Sequence, residues 1–162
     1  MPTKSIDFQG LLAELIDAEV DFIVVGGVAA GFHGLIIATG DLDLVYSRDS
    51  QNLERLERVL LRIDGCYRMK PEVKPLASRF DGPGHHNLST RYGKLDLLGS
   101  IVGGEGYKEL IDRTEVVPLS AGRAVRVLDL PSLIRVKEQL TDEKDKYHLT
   151  LLKRLLVERM PK

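Results

Sequence analysis

Two neighbouring stretches, FIVVGGVAA (residues 22–30) and TGDLDLVY (residues 39–46), contain the residues that decide the fold. The first begins with four β-prone apolar residues, which predict a buried strand. Gly26-Gly27 ends this run, and glycine permits the tight turn that leads from the strand into a short helix. In the second stretch, charged and apolar residues alternate from Asp41 onward, which predicts another strand with one buried face.

The acids of the second stretch point to a metal site. Asp41 and Asp43 lie two positions apart, so on a strand their carboxylates share one face. Adjacent anions repel, and a hard cation such as Mg²⁺ relieves that repulsion by accepting carboxylate oxygens. Asp96 is a third acid, inside the apolar run 95–98. If the two strands are neighbours, the three carboxylates can hold one or two metal ions and align a phosphoryl transfer. The alternative is a solvated strand face.

The remaining pattern predicts an α/β or α+β fold, in which helices pack on a small mixed sheet and the C-terminus is helical. Helices are predicted at 6–19, 28–33, 50–63, 106–112, 131–140 and 142–159, and strands at 22–25, 41–46, 88–91, 94–98, 115–118 and 123–128. Three prolines and a Gly-Pro-Gly cluster make 68–86 mostly loop. Because there is no repeat or linker, residues 1–162 are expected to form a single domain, with a core at about 6–128 and C-terminal helices at about 129–160.

Composition excludes several classes of protein. The 162 residues are 43% apolar and 29% charged, which excludes a disordered tail and a collagen-like fibre. No apolar run approaches the roughly 18 residues of a membrane helix, and the N-terminal residues lack the apolar region of a signal peptide. The single cysteine, Cys66, excludes an internal disulfide and a multi-cysteine zinc site. We therefore expect a soluble, cytoplasmic protein without a membrane partner.

Charge is distributed unevenly along the chain. Residues 1–67 are acidic, whereas 68–94 contain six Lys or Arg and two Asp or Glu. The basic segment, with Arg68, Lys70, Lys74, Arg79 and Arg91, lies in sequence between two acid-bearing strands. We expect it to border the same cleft and to contact a polyanionic ligand. The alternative is ordinary surface charge.

The stretch from Val24 to Asp43 resembles the signature of the DNA polymerase β-type nucleotidyltransferase superfamily. More narrowly, it is similar to the AbiEii-like or minimal nucleotidyltransferase proteins of prokaryotes, and the resemblance covers about residues 6–158. It implies that Gly26-Gly27 holds the triphosphate of an NTP. It also implies that Asp41 and Asp43 bind two Mg²⁺ ions, or Mn²⁺ in their place, and that Asp96 completes the site and helps to activate the incoming hydroxyl.

The resemblance also implies a reaction and partners. An NMP would move from an NTP to a hydroxyl of a tRNA or a protein, with release of pyrophosphate. Such proteins are often the toxin of a toxin–antitoxin pair, so a cognate antitoxin is an expected partner. Thr39, Lys137 and Lys144 correspond to nucleotide-contacting positions, although the two lysines also fit solvated faces of amphipathic helices.

Three positions depart from the family pattern. Val28 stands where the family often has serine, Ile37 where many members have arginine, and Gly40 where many have lysine. These departures favour an alternative, a catalytically degenerate module of the same fold that binds a nucleotide, RNA or protein.

The four histidines carry weaker expectations. His85-His86, beside the Gly-Pro-Gly turn, are expected in an exposed loop, with contact to metal or substrate as the alternative. His33 and His148 are expected to be packing or capping groups.

Overall fold

A computed structural model describes residues 6–161. Within that range the chain forms one seven-stranded mixed sheet with the order β3-β4-β5-β2-β1-β7-β6. The strands are β1 (Phe22–Val25), β2 (Asp41–Tyr46), β3 (Cys66–Tyr67), β4 (His85–Thr90), β5 (Gly93–Leu98), β6 (Thr114–Pro118) and β7 (Ala124–Leu128). The three strands predicted to share a sheet, β1, β2 and β5, are neighbours at its centre, which confirms that prediction.

Six α-helices are present in the described part of the chain. They are α1 (Phe8–Asp17), α2 (Gly26–Phe32), α3 (Ser50–Arg62), α4 (Tyr107–Leu110), α5 (Leu130–Glu138) and α6 (Glu143–Arg159). None of these helices is both long and apolar enough to cross a membrane. The mixed α/β architecture with a helical C-terminus confirms the predicted fold class.

The register of the central strands follows from their alternating pattern. β2 pairs in parallel with β5 and antiparallel with β1, so that Asp43 lies opposite both Asp96 and Val25. The residues that alternate with the acids, Leu42 and Leu44 on β2 and Leu95 and Leu97 on β5, are fully buried. Burial of these leucines fixes the register, because a slip of one residue would move them to the face that carries the acids.

The structure differs from the sequence predictions at three places. Helix α2 begins at Gly26, so the glycine pair forms its first turn rather than preceding it. Strand β3 was not predicted, since a two-residue strand has too short a pattern to detect. His85-His86 begin strand β4 instead of lying in a loop, because pairing with β5 extends the hairpin beyond Leu88.

Asn52 joins three elements at the start of α3. Its side chain is 1% exposed. Its amide nitrogen donates to the carbonyls of Asp21 (3.1 Å) and Ser47 (2.8 Å), and its amide oxygen accepts from the main-chain N–H of Asp21 at 2.7 Å. This one side chain therefore supplies hydrogen-bond partners to the main chain just before β1 and just after β2.

We predict that Asn52→Ala lowers the free energy of unfolding by about 2–3 kcal/mol, because buried main-chain groups would lose their partners. Gln51→Ala, at the exposed neighbouring position, should change it by less than about 0.5 kcal/mol. Urea denaturation of both variants measures the difference, and equal effects would contradict the role assigned to Asn52.

Candidate active site

Three carboxylates meet on the open face of β2 and β5. The two strands run in parallel with Asp43 opposite Asp96, and Asp41 lies two residues before Asp43 on the same face. One ligand oxygen from each of the three acids lies within 4.8 Å of the others, and all three residues are half-buried. The structure thus brings together the three predicted metal ligands.

The two glycines place the start of α2 against these acids. Gly26 has a φ of +67°, and a Cβ at this position would collide with the carboxylate of Asp43. A Cβ at Gly27 would lie 3.0 Å from Oγ1 of Thr39. The Thr39 hydroxyl in turn donates to the carbonyl of Asp41 at 3.1 Å. A side chain at Gly26 would therefore occupy the space of the Asp43 carboxylate.

A cavity of about 350 Å³ opens beside the acids. Its lining includes all five residues predicted to bind nucleotide, namely Gly26, Gly27, Thr39, Lys137 and Lys144, together with Asp41 and Asp43. Residues from the first third of the chain and from the region of its last two helices therefore form one pocket, with Asp41 and Asp43 on one wall and both lysines and acids on the other.

The lysine wall is built from the junction of α5 and α6. The Lys137 ammonium on α5 lies 2.7 Å from a carboxylate oxygen of Asp145 on α6, and both side chains are about one-fifth exposed. Asp142 caps α6 by accepting from the main-chain N–H of Lys144 at 3.0 Å. Lys137 is consequently fixed between the two helices, whereas Lys144 is exposed.

Arg68 reaches the acids from the opposite side. Its guanidinium forms an ion pair with Asp96 and also donates to the Leu88 carbonyl at 2.9 Å. The sequence placed Arg68 in the basic segment but gave no indication of this partner. Strand pairing brings the two together, because the main-chain N–H of Arg68 bonds to the carbonyl of Asn87, which lies opposite Asp96.

An apolar chamber of about 190 Å³ lies next to Asp43, between the sheet and the last two helices. Its apolar lining includes Leu98, Ile101, Leu128, Leu133, Val136 and Leu152, and its polar lining includes Asp43, His85, Lys137 and His148. Sequence reasoning missed the chamber, because its walls come from segments that are widely separated in the chain.

The two adjacent histidines have different surroundings. His85 is exposed, its Nε2 lies 2.9 Å from the Ser100 carbonyl, and its side chain lines part of the chamber. His86 is half-buried, with Nδ1 3.0 Å from the Tyr67 hydroxyl and its ring against Phe80. Burial lowers the pKa of His86. His86 therefore has a packing role, although it also lines an open groove along the outer strands, and of these two residues only His85 lines the chamber.

The other two histidines also differ. His33 is buried at the end of α2 with Nε2 2.8 Å from the Leu128 carbonyl, which confirms its predicted packing role. His148 lines both the cavity and the chamber, a position that its sequence context did not indicate. Burial, followed by the positive charges of Lys137 and Lys144, lowers its pKa.

The basic segment divides into two parts. Lys70 and Arg79 line an open groove along the outer strands, together with His85 and Asn87. Arg91 instead pairs with Asp64 at 3.2 Å and donates to the Arg62 carbonyl at the end of α3. Part of the segment thus lies beside the site, as expected, whereas Arg91 is engaged elsewhere.

The surroundings of Asp43 change its ionisation. Burial, then the hydrogen bond and negative charge of Asp96 and the charge of Asp41, raise the pKa of Asp43 to about 7. The folded protein therefore binds a proton at Asp43 between about pH 4 and pH 7 that the unfolded chain releases. The contribution of this proton to the free energy of unfolding is complete below about pH 4 and is lost as the pH rises to about 7.

We predict that Asp43→Asn, which mimics the protonated acid, becomes more stable relative to the wild type as the pH rises. In the presence of a chelator, the difference in unfolding free energy should grow by about 2–3 kcal/mol between pH 5 and pH 8. Urea denaturation at the two pH values provides the measurement, with the exposed Asp64→Asn as the control. A difference that does not change with pH would contradict the shifted pKa.

No protein-family model matches this chain, and no curated protein matches its sequence. Its fold does match solved structures. The lincosamide antibiotic adenylyltransferase LnuA, solved with lincomycin, is similar at a TM-score of 0.64 and 17% identity over 93% of this chain and 99% of that one. The antibiotic-resistance factor ANT(2'')-Ia is similar at a TM-score of 0.58 and 15% identity, over 92% of this chain and 82% of that one.

A third similar structure is TM1012 of Thermotoga maritima, a protein assigned as a nucleotidyltransferase. The TM-score is 0.55 and the identity 16%, over 94% of each chain. These matches show that the chain has the nucleotidyltransferase fold. The narrower resemblance to AbiEii-like proteins stays a prediction.

Proposed function

We propose that this chain is a divalent-cation-dependent nucleotidyltransferase that moves an NMP from an NTP to an acceptor hydroxyl and releases pyrophosphate. The observation that carries the proposal is the convergence of Asp41, Asp43 and Asp96 beside a cavity lined by two glycines and two lysines. The nucleotidyltransferase fold supports the same assignment.

The three acids fit a hard divalent cation such as Mg²⁺. Carboxylate oxygens are the ligands that this ion takes. Burial, together with the neighbouring acids, raises the pKa of Asp43 to about 7, and a bound cation would favour its charged form. When bound, the cation would offset phosphate charge and favour loss of the acceptor proton. Mn²⁺ suits the same ligands.

The residues of the chain have separate roles in this proposal. Gly26 and Gly27 let the phosphates approach the main chain closely, since no side chain intervenes. Lys137 and Lys144 supply positive charge to the same cavity. Asp96, on β5 beside the outer strands, is assigned the role of favouring deprotonation of the acceptor hydroxyl.

The departures from the family pattern bear on the alternative of an inactive binding module. Ile37 and Gly40 line the phosphate cavity and contribute no charge there. Val28 lines a separate groove with Phe8 and Phe32. Lys137 and Lys144 also line that cavity, where Lys137 is paired with Asp145, and the complete carboxylate triad favours an enzyme over the inactive module.

We predict that Asp41→Asn lowers NMP transfer at least about 100-fold, because it removes a metal ligand. Incubation of cell extract with the protein and each α-labelled NTP measures transfer, and pyrophosphate release provides a second readout. Asp64→Asn is the matched control and should retain activity. If NTPs raise the melting temperature of the protein in the presence of Mg²⁺ but none of the four is consumed, the result would contradict the enzyme assignment and favour the inactive binding module.

The open groove beside the acids favours a tRNA as acceptor over a protein. It contains Lys70 and Arg79, which can neutralise phosphates, and the side chains of Tyr67 and Met69, the latter 90% exposed. Positive charge combined with an aromatic side chain on which a base can stack, here Tyr67, is typical of single-stranded nucleic-acid binding. A tRNA acceptor also agrees with the toxin role that the resemblance implies, in which a cognate antitoxin is the partner.

A second candidate acceptor is a small molecule with a hydroxyl group. The apolar chamber adjoins Asp43 and would enclose a compact ligand rather than a polymer. Two of the similar proteins have been solved with such compounds, LnuA with lincomycin and ANT(2'')-Ia with adenylyl-2''-tobramycin.

We predict that the double variant Lys70→Ala/Arg79→Ala weakens tRNA binding about tenfold at low salt and leaves NTP binding unchanged. Each lost phosphate contact should reduce the log–log salt slope by roughly 0.7–0.9. Titration with labelled tRNA over a range of salt concentrations tests this, with Arg91→Ala as the control on the same segment. Unchanged tRNA affinity and slope would favour the small-molecule acceptor.

A further inference from the structure

We propose that the guanidinium of Arg68 takes the place of a second divalent cation at the three carboxylates, so that the site holds one cation per chain, at Asp41 and Asp43. This inference rests on the proposed function, because it concerns the same acids. It differs from the two ions that the resemblance implies, and it follows from a residue that the family pattern did not indicate.

Arg68 is attached to the sheet independently of the acids. Its main-chain N–H donates to the Asn87 carbonyl at 3.1 Å, and one guanidinium nitrogen donates to the Leu88 carbonyl at 2.9 Å. A second guanidinium nitrogen binds Oδ1 of Asp96. Because two of these three acceptors are main-chain carbonyls of β4, the position of the charge is set by the sheet. The guanidinium is therefore a built-in cation of the site.

The ion pair is partly shielded from water. The side chains of Arg68 and Asp96 are 22% and 16% exposed, less than the side chains of the ion pair of Arg91 and Asp64, which are 51% and 65% exposed. Charges in such a location are screened less than charges at the surface. A cation that bridged Asp43 and Asp96 would lie close to the guanidinium and would be repelled by it.

The negative charges of Asp41 and Asp43 are not compensated in the way that Arg68 compensates Asp96. Among residues 6–161, neither Asp41 nor Asp43 forms an ion pair. The nearest ammonium on the helical wall, that of Lys137, is engaged by Asp145. Asp41 and Asp43 therefore remain available to one cation, whereas one oxygen of Asp96 is already bound. Arg68 is a positioning residue in this arrangement, since it holds Asp96 and sets the cation count.

Counting bound Mn²⁺ by equilibrium dialysis tests the proposal without relying on catalysis. The full chain is dialysed against Mn²⁺ alone, and then with a non-hydrolysable NTP analogue after correction for the free Mn²⁺–nucleotide complex. We expect one ion per chain in the wild type under both conditions. Arg68→Gln should bind two ions, with the second at least about tenfold tighter than any second ion in the wild type. Arg68→Lys keeps the charge and should bind one ion, as should the control Arg91→Gln.

The number of bound Mn²⁺ ions distinguishes failure of the proposed role of Arg68 from failure of the proposed nucleotidyltransferase function. Two ions in the wild type, or one ion in a folded Arg68→Gln, would overturn the role of Arg68 and leave the nucleotidyltransferase assignment standing. No bound ion in the wild type would overturn both. Because the wild-type count decides on its own, a failure of Arg68→Gln to fold does not remove the test.

Discussion

The parallel pairing of β2 with β5 is the constraint on which the candidate site depends. In that register Asp43 lies opposite Asp96, and two like charges are placed side by side on one face. Such a pair is unfavourable unless a proton, a guanidinium or a metal ion compensates it. The fully buried leucines on the other face of both strands prevent a shift of register that would separate the acids. The hydrophobic core thus maintains the electrostatic repulsion between Asp43 and Asp96 that a bound cation would relieve.

Much of this arrangement could be predicted from local sequence patterns. The runs at 22–25 and 41–46 have strand periodicity, and the two-residue spacing of Asp41 and Asp43 determines that they share a face. The partner of Asp96 could not be predicted, since Arg68 reaches it through a two-residue strand and two hydrogen bonds to main-chain carbonyls. The apolar chamber was missed for a related reason, because its residues become neighbours only when α5 and α6 pack across the sheet.

The two sides of the site differ in their construction. On one side, Lys137 and Asp145 link α5 to α6 and fix a positive charge beside the cavity. On the other side, Arg68 is fixed to the outer strands and compensates Asp96. The acids between them lie on central strands, whose main chain is hydrogen-bonded to neighbours on both edges. In the proposed function, these carboxylates would hold a cation between two basic side chains that ion pairs already fix, so little ordering would be left to occur when a polyphosphate binds.

The lack of a side chain at Gly26 has a consequence for how this protein can diversify. The same position has a left-handed backbone conformation and lies against the Asp43 carboxylate, so both the main chain and this carboxylate disfavour substitution there. Variation at this one position of the pocket is therefore strongly restricted. In the wall formed by α5 and α6, Leu152 is buried and Lys137 is held by Asp145, but exposed positions such as Lys144 are free of this restriction. New ligand preferences in this protein should therefore arise through exchange of exposed residues on α5 and α6, while Gly26 stays unchanged.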